Sequence, residues 1–185
     1  MKKAAVLFSV IVFGLVAYAQ SPVKQGSIML NGTFSFSSKN YDSGSTNLTT
    51  LSFHPQAGYF LLDHLNAGLL VDYDRIALDE SNNDQWSLGT FLRYYFDFKE
   101  IKPFVNIGFA YSKTGTSSSE NIYGRKWIAA GGVDYFVVPN VAIETVLRYE
   151  IENLTLPDNY NSFYNDRNPQ NNTFFIGFGL NFFIY

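Results

Sequence analysis

The sequence predicts an all-β fold, an eight-stranded antiparallel up-and-down transmembrane β-barrel with both mature termini in the periplasm. Two observations lead to this fold class. Apolar and polar residues alternate with a period of two in eight successive segments of the chain, as in strands that bury one face. The last fourteen residues, 172–185, hold six aromatic side chains and no charge, which would be an aggregation hazard in water.

The clearest predicted strand lies at 86–98, where one set of alternate residues is mostly apolar and the other is mostly polar. Because alternate residues of a strand face opposite sides, this strand has one apolar and one polar face. Segment 141–151 repeats the pattern. Six further strands are predicted near 25–37, 48–60, 65–77, 103–113, 122–137 and 172–185. Each has about ten or more residues, the length that a tilted membrane-spanning strand requires.

The predicted connections alternate between long and short. Long polar loops are expected near 38–47, 78–85, 114–121 and 152–171, and short turns near 61–64, 99–102 and 139–140. Short periplasmic turns and longer extracellular loops are typical of outer-membrane barrels. An even number of strands then puts both mature termini in the periplasm.

The N-terminus has the features of a secretory signal peptide. A positive segment at 1–3 precedes an apolar run at 4–16 and a small-x-small cleavage site at 17–19. The alternative, a transmembrane anchor helix, would need a longer apolar run. We therefore expect a signal peptide at 1–19, a barrel domain at 20–185 and a location in the outer membrane of a Gram-negative bacterium.

Composition excludes several functions. The chain has 13 basic and 16 acidic residues and no cysteine. It therefore has no basic field that would recruit nucleic acid, and it has no thiolate site or disulfide. No cofactor is expected. Segment 79–84 has oxygen ligands suited to calcium, but it lacks the glycine and the distal glutamate of an EF-hand loop, so we expect a solvated loop and no metal.

The apolar faces are expected to point outward to lipid. They are too continuous to face water over eight strands, and an eight-stranded interior has only enough room for its own side chains. In the last strand the residues from Phe174 to Ile184 at even positions would face lipid, whereas Gly177, Gly179 and Asn181 would face inward.

With these features the chain resembles the small eight-stranded outer-membrane barrels, the family of outer membrane protein X and of the membrane domain of outer membrane protein A. The resemblance covers residues 20–185 and rests on the signal peptide, on glycine-rich strands such as 129–136, and on the aromatic C-terminal strand. It implies that this tail is a recognition signal for the barrel-assembly machinery. In this chain the outward set ends at Ile184 and Tyr185 lies one step beyond it.

The inward positions carry the candidate chemistry. They include six acidic and three basic residues: Asp72, Asp74, Asp97, Asp134, Glu144, Glu150, Arg93, Lys126 and Arg148. Because buried charges persist only when paired, we expect an interior ionic network that fills the lumen. The alternative is that the carboxylates line a narrow pore for ions or small solutes.

An enzyme would need a base beside a nucleophile. His64 lies in a predicted turn, and His54 shares the inward parity with Ser52 and Gln56. A Ser–His pair is one interpretation of these residues, and an interior hydrogen-bond network is the other. We expect no catalysis, and a lipid-modifying barrel enzyme stays the third alternative.

Two groups of residues suit contacts outside the barrel. Arg75, Lys113 and Arg125 have outward parity near the extracellular strand ends, where they would contact lipopolysaccharide phosphates or extend to the interface as ordinary lipid-facing cations. The longest loop, 152–171, carries Tyr160, Phe163 and Tyr164 among many asparagines, a composition suited to partner contact or to a solvated loop.

The sequence thus predicts a non-enzymatic integral barrel with a polar, filled interior that supports the envelope or presents its loops for adhesion or partner binding. A monomer is expected because a closed barrel has no free strand edge to pair.

Overall fold

The computed structural model describes residues 21–40, 47–78, 81–98, 101–115, 121–155 and 170–185. These residues form eight strands: β1 (Ile28–Asn40), β2 (Asn47–Leu62), β3 (Leu65–Leu78), β4 (Ser81–Tyr95), β5 (Ile101–Gly115), β6 (Ile122–Val138), β7 (Val141–Thr155) and β8 (Gln170–Ile184). Each strand pairs antiparallel with the next, and β8 pairs with β1 to close the barrel. The predicted fold class, all-β with eight antiparallel strands in up-and-down order, is confirmed.

The described part of the chain contains no helix that is long and apolar enough to cross a membrane.

The barrel has two different ends. At the turn end, β2 joins β3 through residues 63–64 and β6 joins β7 through 139–140, and the N-terminal segment 21–27 lies there too. At the loop end, β1 joins β2, β3 joins β4, β5 joins β6 and β7 joins β8.

The predicted strict alternation of long and short connections is wrong at β3–β4. The two strands stay paired up to Leu78 and Ser81, although a loop was predicted at 78–85. Residues 81–84 therefore belong to β4. Their polar side chains indicated a loop in the sequence. Strand pairing is made by backbone hydrogen bonds, however, and these form whether the side chains are polar or apolar.

Alternate side chains along every strand face the outside. This outer face is apolar over most of its height, and on β8 Phe174, Ile176, Phe178 and Leu180 are exposed, Phe178 by 63%. A surface of this kind would drive association in water, whereas it suits the hydrocarbon region of a bilayer. Closure of the ladder satisfies the backbone donors and acceptors that such a solvent cannot.

The turn end is closed by apolar packing. The N-terminal segment 21–27 lies across it, where the His64 N–H donates to the Val23 carbonyl at 2.8 Å and the Gly26 N–H donates to the Phe60 carbonyl at 3.0 Å. These bonds hold Val23 in a buried cluster. We call this cluster the apolar floor; it comprises Val23, Met29, Phe60, Phe104 and Phe183.

Two glycines allow neighbouring strands to approach closely. A Cβ at Gly68 would lie 2.0 Å from the Ala57 carbonyl oxygen, and a Cβ at Gly89 would lie 2.1 Å from the Phe109 carbonyl oxygen. Both obstacles are backbone atoms, which cannot rotate away as the tip of a side chain can. At Gly131, by contrast, the added carbon would meet its nearest atom at 3.7 Å.

Gly68→Ala should therefore destabilise the barrel by about 1–3 kcal/mol, because overpacking forces the backbone to shift. Gly131→Ala is the matched control and should be close to neutral. The measurement is urea unfolding of the refolded barrel in lipid vesicles, followed by its heat-modifiable migration on gels. Equal stability of the two variants would contradict the close approach at Gly68.

Candidate functional site

The interior holds a lower ionic cluster, defined as Arg93, Tyr95, Asp134, Glu144 and Asn181, just above the apolar floor. Arg93 is its only base, and it is 1% exposed. Its Nη1 donates to Glu144 Oε2 at 2.6 Å and its Nη2 donates to Gln56 Oε1 at 3.0 Å. The guanidinium carbon lies 4.1 Å from the centroid of the Phe104 ring. Arg93 thus joins β4 to β2 and β7 across the lumen.

The two carboxylates of the lower cluster face each other on β6 and β7. Neutral donors supply the contacts that a single arginine cannot. Asn181 Nδ2 donates to Asp134 at 2.7 Å and to Glu144 at 3.0 Å, and the Tyr95 hydroxyl donates to Asp134 at 3.0 Å. Thr33 Oγ1 donates to the other Glu144 oxygen at 2.7 Å. The acidic pair is therefore held by a shared network and not by one ion pair.

An upper ionic cluster lies nearer the loop end and comprises His54, Asp72, Asp74, Lys126, Arg148 and Glu150. Asp72 is at its centre and is fully buried. Arg148 Nη2 donates to Asp72 Oδ2 at 2.6 Å, and His54 Nδ1 lies 2.8 Å from Asp72 Oδ1. Two separate groups therefore contact the two oxygens of this carboxylate.

The other two acids of the upper cluster are paired with its lysine and arginine. Glu150 lies 2.6 Å from Arg148 Nη2 and 3.1 Å from Lys126 Nζ, and Asp74 lies 3.4 Å from Lys126 Nζ. The cluster thus links β3, β6 and β7. Since more than one acid contacts each base, loss of either base would remove a cation contact from more than one buried carboxylate.

Asp97 does not belong to the interior network, so its predicted position is wrong. β4 ends at Tyr95, and beyond that residue the period of two no longer assigns a face. The Asp97 side chain is 55% exposed and pairs with Lys102 at the turn end. The hydrogen bond from the Lys102 ammonium holds the pKa of Asp97 below its usual value.

Two charged residues that are buried in the described part of the chain, Glu152 and Lys102, were not predicted from the sequence. Glu152 accepts hydrogen bonds from Gln85 Nε2 at 2.6 Å and from the Ser112 hydroxyl, above the upper cluster. It has the parity of Glu150 but lies beyond the predicted end of its strand at residue 151. Lys102 is also buried. Extending the predicted strand by one residue would have found Glu152.

His54 contacts a different serine from the one the sequence suggested. Its Nε2 lies 3.4 Å from Ser35 Oγ on β1, so Ser35, His54 and Asp72 follow one another as in a hydrolase triad. The imidazole is stacked on Phe175 with 5.0 Å between ring centroids, and Asp72 is shared with Arg148. These contacts favour a structural role for the imidazole.

The space between the two clusters is very small. A cavity of about 10 Å³ lies there, lined among others by Thr33, His54, Arg93, Glu144 and Arg148. This volume is about that of one water-sized probe. Within the described part of the barrel, the site beside His54 therefore has no room for a lipid or peptide substrate.

The three outward cations of the sequence analysis lie on the outer face near the loop end. Arg75 on β3, Lys113 on β5 and Arg125 on β6 are all exposed. Asp84 is the cross-strand neighbour of Arg75. The predicted contact residues Tyr160, Phe163 and Tyr164 lie outside the described residues. In the described residues no group of three or more His, Asp or Glu side chains is arranged to hold a metal ion.

The similarity of this chain to known proteins is one of fold. No family model matches the chain, and no curated protein matches it. Among solved structures, Neisserial surface protein A is 18% identical, with 84% of this chain and 95% of that chain covered and a TM-score of 0.56.

Two proteins of Pseudomonas aeruginosa give similar values. The N-terminal β-barrel domain of OprF is 18% identical, with 86% of this chain and 98% of that chain covered and a TM-score of 0.52. The outer membrane protein OprG is 15% identical, with 86% and 97% covered and a TM-score of 0.52. The chain therefore has the fold of the small eight-stranded outer-membrane barrels, which confirms the resemblance found in its sequence.

Proposed function

We propose that this protein is a non-enzymatic integral barrel of the outer membrane of a Gram-negative bacterium, with a lumen closed by its own side chains. On this proposal it supports the envelope and presents its loops, including Tyr160, Phe163 and Tyr164, for adhesion or partner binding. The observation that carries the proposal is the pair of ionic clusters that fill the interior one above the other. Release of residues 1–19 and recognition of β8 by the barrel-assembly machinery belong to the same proposal.

The arrangement of ion pairs supports a closed lumen. Arg93 reaches from β4 to Glu144 on β7 at 2.6 Å, and Arg148 reaches from β7 to Asp72 on β3, also at 2.6 Å. Both pairs span the interior. A solute could pass only if these buried charges separated, and an unpaired buried charge is strongly unfavourable. The apolar floor adds a second barrier at the turn end.

The surroundings of His54 support a non-enzymatic role. The imidazole is stacked on Phe175, Asp72 is shared with Arg148, and the Ser35 side chain is itself buried. The three side chains are better explained as hydrogen-bonded parts of the upper cluster.

One observation favours the pore as a second candidate. Among the side chains that the structure describes in the loop-end half of the interior, four acids, Asp72, Asp74, Glu150 and Glu152, are buried with the two bases Lys126 and Arg148. Excess negative charge near a mouth attracts cations. If the lumen opens at all, it should therefore favour cations.

Conductance in a planar bilayer separates the two candidates. We expect the wild-type barrel to be silent and Arg93→Ala/Arg148→Ala to leak, because the double substitution removes both cross-lumen guanidinium groups. Arg75→Ala removes an arginine from the outer face and is the matched control, which should stay silent. Steady cation-selective steps in the wild type would overturn the closed-lumen proposal and establish the pore.

Stability measurements test whether the lower cluster acts through pairing. Arg93→Met should cost about 3–5 kcal/mol, because it leaves Glu144 and Asp134 buried without their cation. Arg93→Met/Glu144→Gln should cost less than Arg93→Met, since one of the two uncompensated charges, that of Glu144, is removed. Arg75→Met on the outer face should change stability by only about 0.5 kcal/mol or less. Urea unfolding of refolded barrels in lipid vesicles gives all three values, and a double variant less stable than the single one would refute the pairing argument.

A further inference from the structure

Charges on the outer face are confined to one side of the barrel. In the outward positions whose side chains the structure describes, the charged residues are Arg75 on β3, Asp84 on β4, Lys113 on β5 and Arg125 on β6. The corresponding positions of β7, β8, β1 and β2 carry none. Cations that merely anchor a barrel at the interface have no reason to collect on one side of it, as these three do on β3, β5 and β6.

Lys113 and Arg125 are neighbours within an aromatic frame. Lys113 stands opposite Trp86 on β4 and Tyr123 on β6, and Arg125 stands opposite Tyr111 on β5. Lys113 and Arg125 are diagonal neighbours on adjacent strands, a relation that places residues about 7–8 Å apart. The aromatic side chains are themselves well exposed, Trp86 by 57% and Tyr111 by 63%.

Arg75 differs from the other two cations. Its cross-strand neighbour is Asp84, which also accepts a hydrogen bond from the Tyr73 hydroxyl at 3.0 Å. The cross-strand neighbours of Arg125 are Tyr111 and Asn153, neither of which is charged. Asp84 stands directly opposite Arg75 but only diagonal to Lys113, because its partner on β5 is Gly115. Arg75 is therefore the most nearly neutralised of the three cations, and Lys113 and Arg125 keep more of the positive potential of this face.

The position of Lys113 and Arg125 along the barrel axis indicates which part of the bilayer they contact. Lys113 lies two residues before the end of β5, and Arg125 lies three residues after the start of β6. On the turn-end side of them the outer face continues with Phe109, Trp127 and Leu88. The cations thus lie at the upper border of the apolar band, the level of lipid head groups, where Trp and Tyr are also favoured.

We propose that Lys113 and Arg125, framed by Trp86, Tyr111 and Tyr123, form a binding site for a phosphorylated glycolipid of the outer leaflet. The two cations bind its phosphate through charge-assisted hydrogen bonds, and the aromatic rings stack on its sugar rings. The assignment to the outer leaflet rests on the proposed function, which takes the loop end as extracellular. Of the three cations predicted from the sequence to contact lipopolysaccharide phosphates, the proposed site keeps the two on β5 and β6.

Native mass spectrometry of the refolded barrel in detergent tests this site with three lipids: bis-phosphorylated lipid A, its dephosphorylated form and phosphatidylglycerol. We expect the wild type to bind bis-phosphorylated lipid A in preference to the other two. Lys113→Gln/Arg125→Gln should weaken that binding by about tenfold or more, because two charge-assisted hydrogen bonds are lost.

The matched control is Lys24→Gln/Arg75→Gln, which also removes one lysine and one arginine from exposed positions and should stay close to the wild type. Equal loss in this control would mean that net charge alone sets the affinity, and equal binding of dephosphorylated lipid A or of phosphatidylglycerol would overturn the site's specificity. Heat-modifiable migration verifies that each variant is folded. If the lipid-binding test fails and the wild-type barrel is silent in the bilayer, the closed-lumen proposal still stands. If the wild-type barrel conducts, the closed-lumen proposal is overturned and this lipid site is unaffected.

Discussion

The β1–β8 ladder is the interaction on which the rest of the structure depends. It pairs the first strand with the last from Ile28↔Ile184 to Ser35↔Gly177, and over this height it closes the sheet into a barrel. The outer aromatic side chains suit the hydrocarbon region of a bilayer, but this solvent cannot hydrogen-bond the backbone. The backbone N–H and C=O groups must therefore bond one another, which closure of the barrel allows. The ladder also fixes the strand number, and the strand number fixes how much space the inward side chains must fill.

That limited space accounts for the layered interior. From the turn end upward the lumen contains the apolar floor, the lower ionic cluster and the upper ionic cluster, with a gap of about 10 Å³ between the two clusters. In each cluster carboxylates outnumber the lysine and arginine side chains, and in the lower cluster neutral donors such as Asn181, Tyr95 and Thr33 make up part of the difference. Polar side chains thus serve here as the packed core that apolar side chains form in a water-soluble protein.

Much of this could be predicted from the sequence, because one pattern decides both the strands and their faces. Alternation is a local property, so Arg93 and Arg148 could be assigned to the interior without knowledge of their partners. Asp97 was misplaced because parity has meaning only within a strand, and β4 ends two residues earlier, at Tyr95. The contact of His54 with Ser35, in place of Ser52, depends on the register between β1 and β2, which alternation does not encode.

The cross-lumen ion pairs have a consequence for the order of folding. Arg93 and Glu144 are 51 residues apart in the chain, and Asp72 and Arg148 are 76 apart. Loop-closure entropy opposes contacts of such long range, so we expect them to form late. We therefore expect the pairs to contribute little to the rate at which the barrel forms. Their effect should instead be on unfolding, because interactions absent from the transition state slow unfolding and lengthen the lifetime of the assembled barrel.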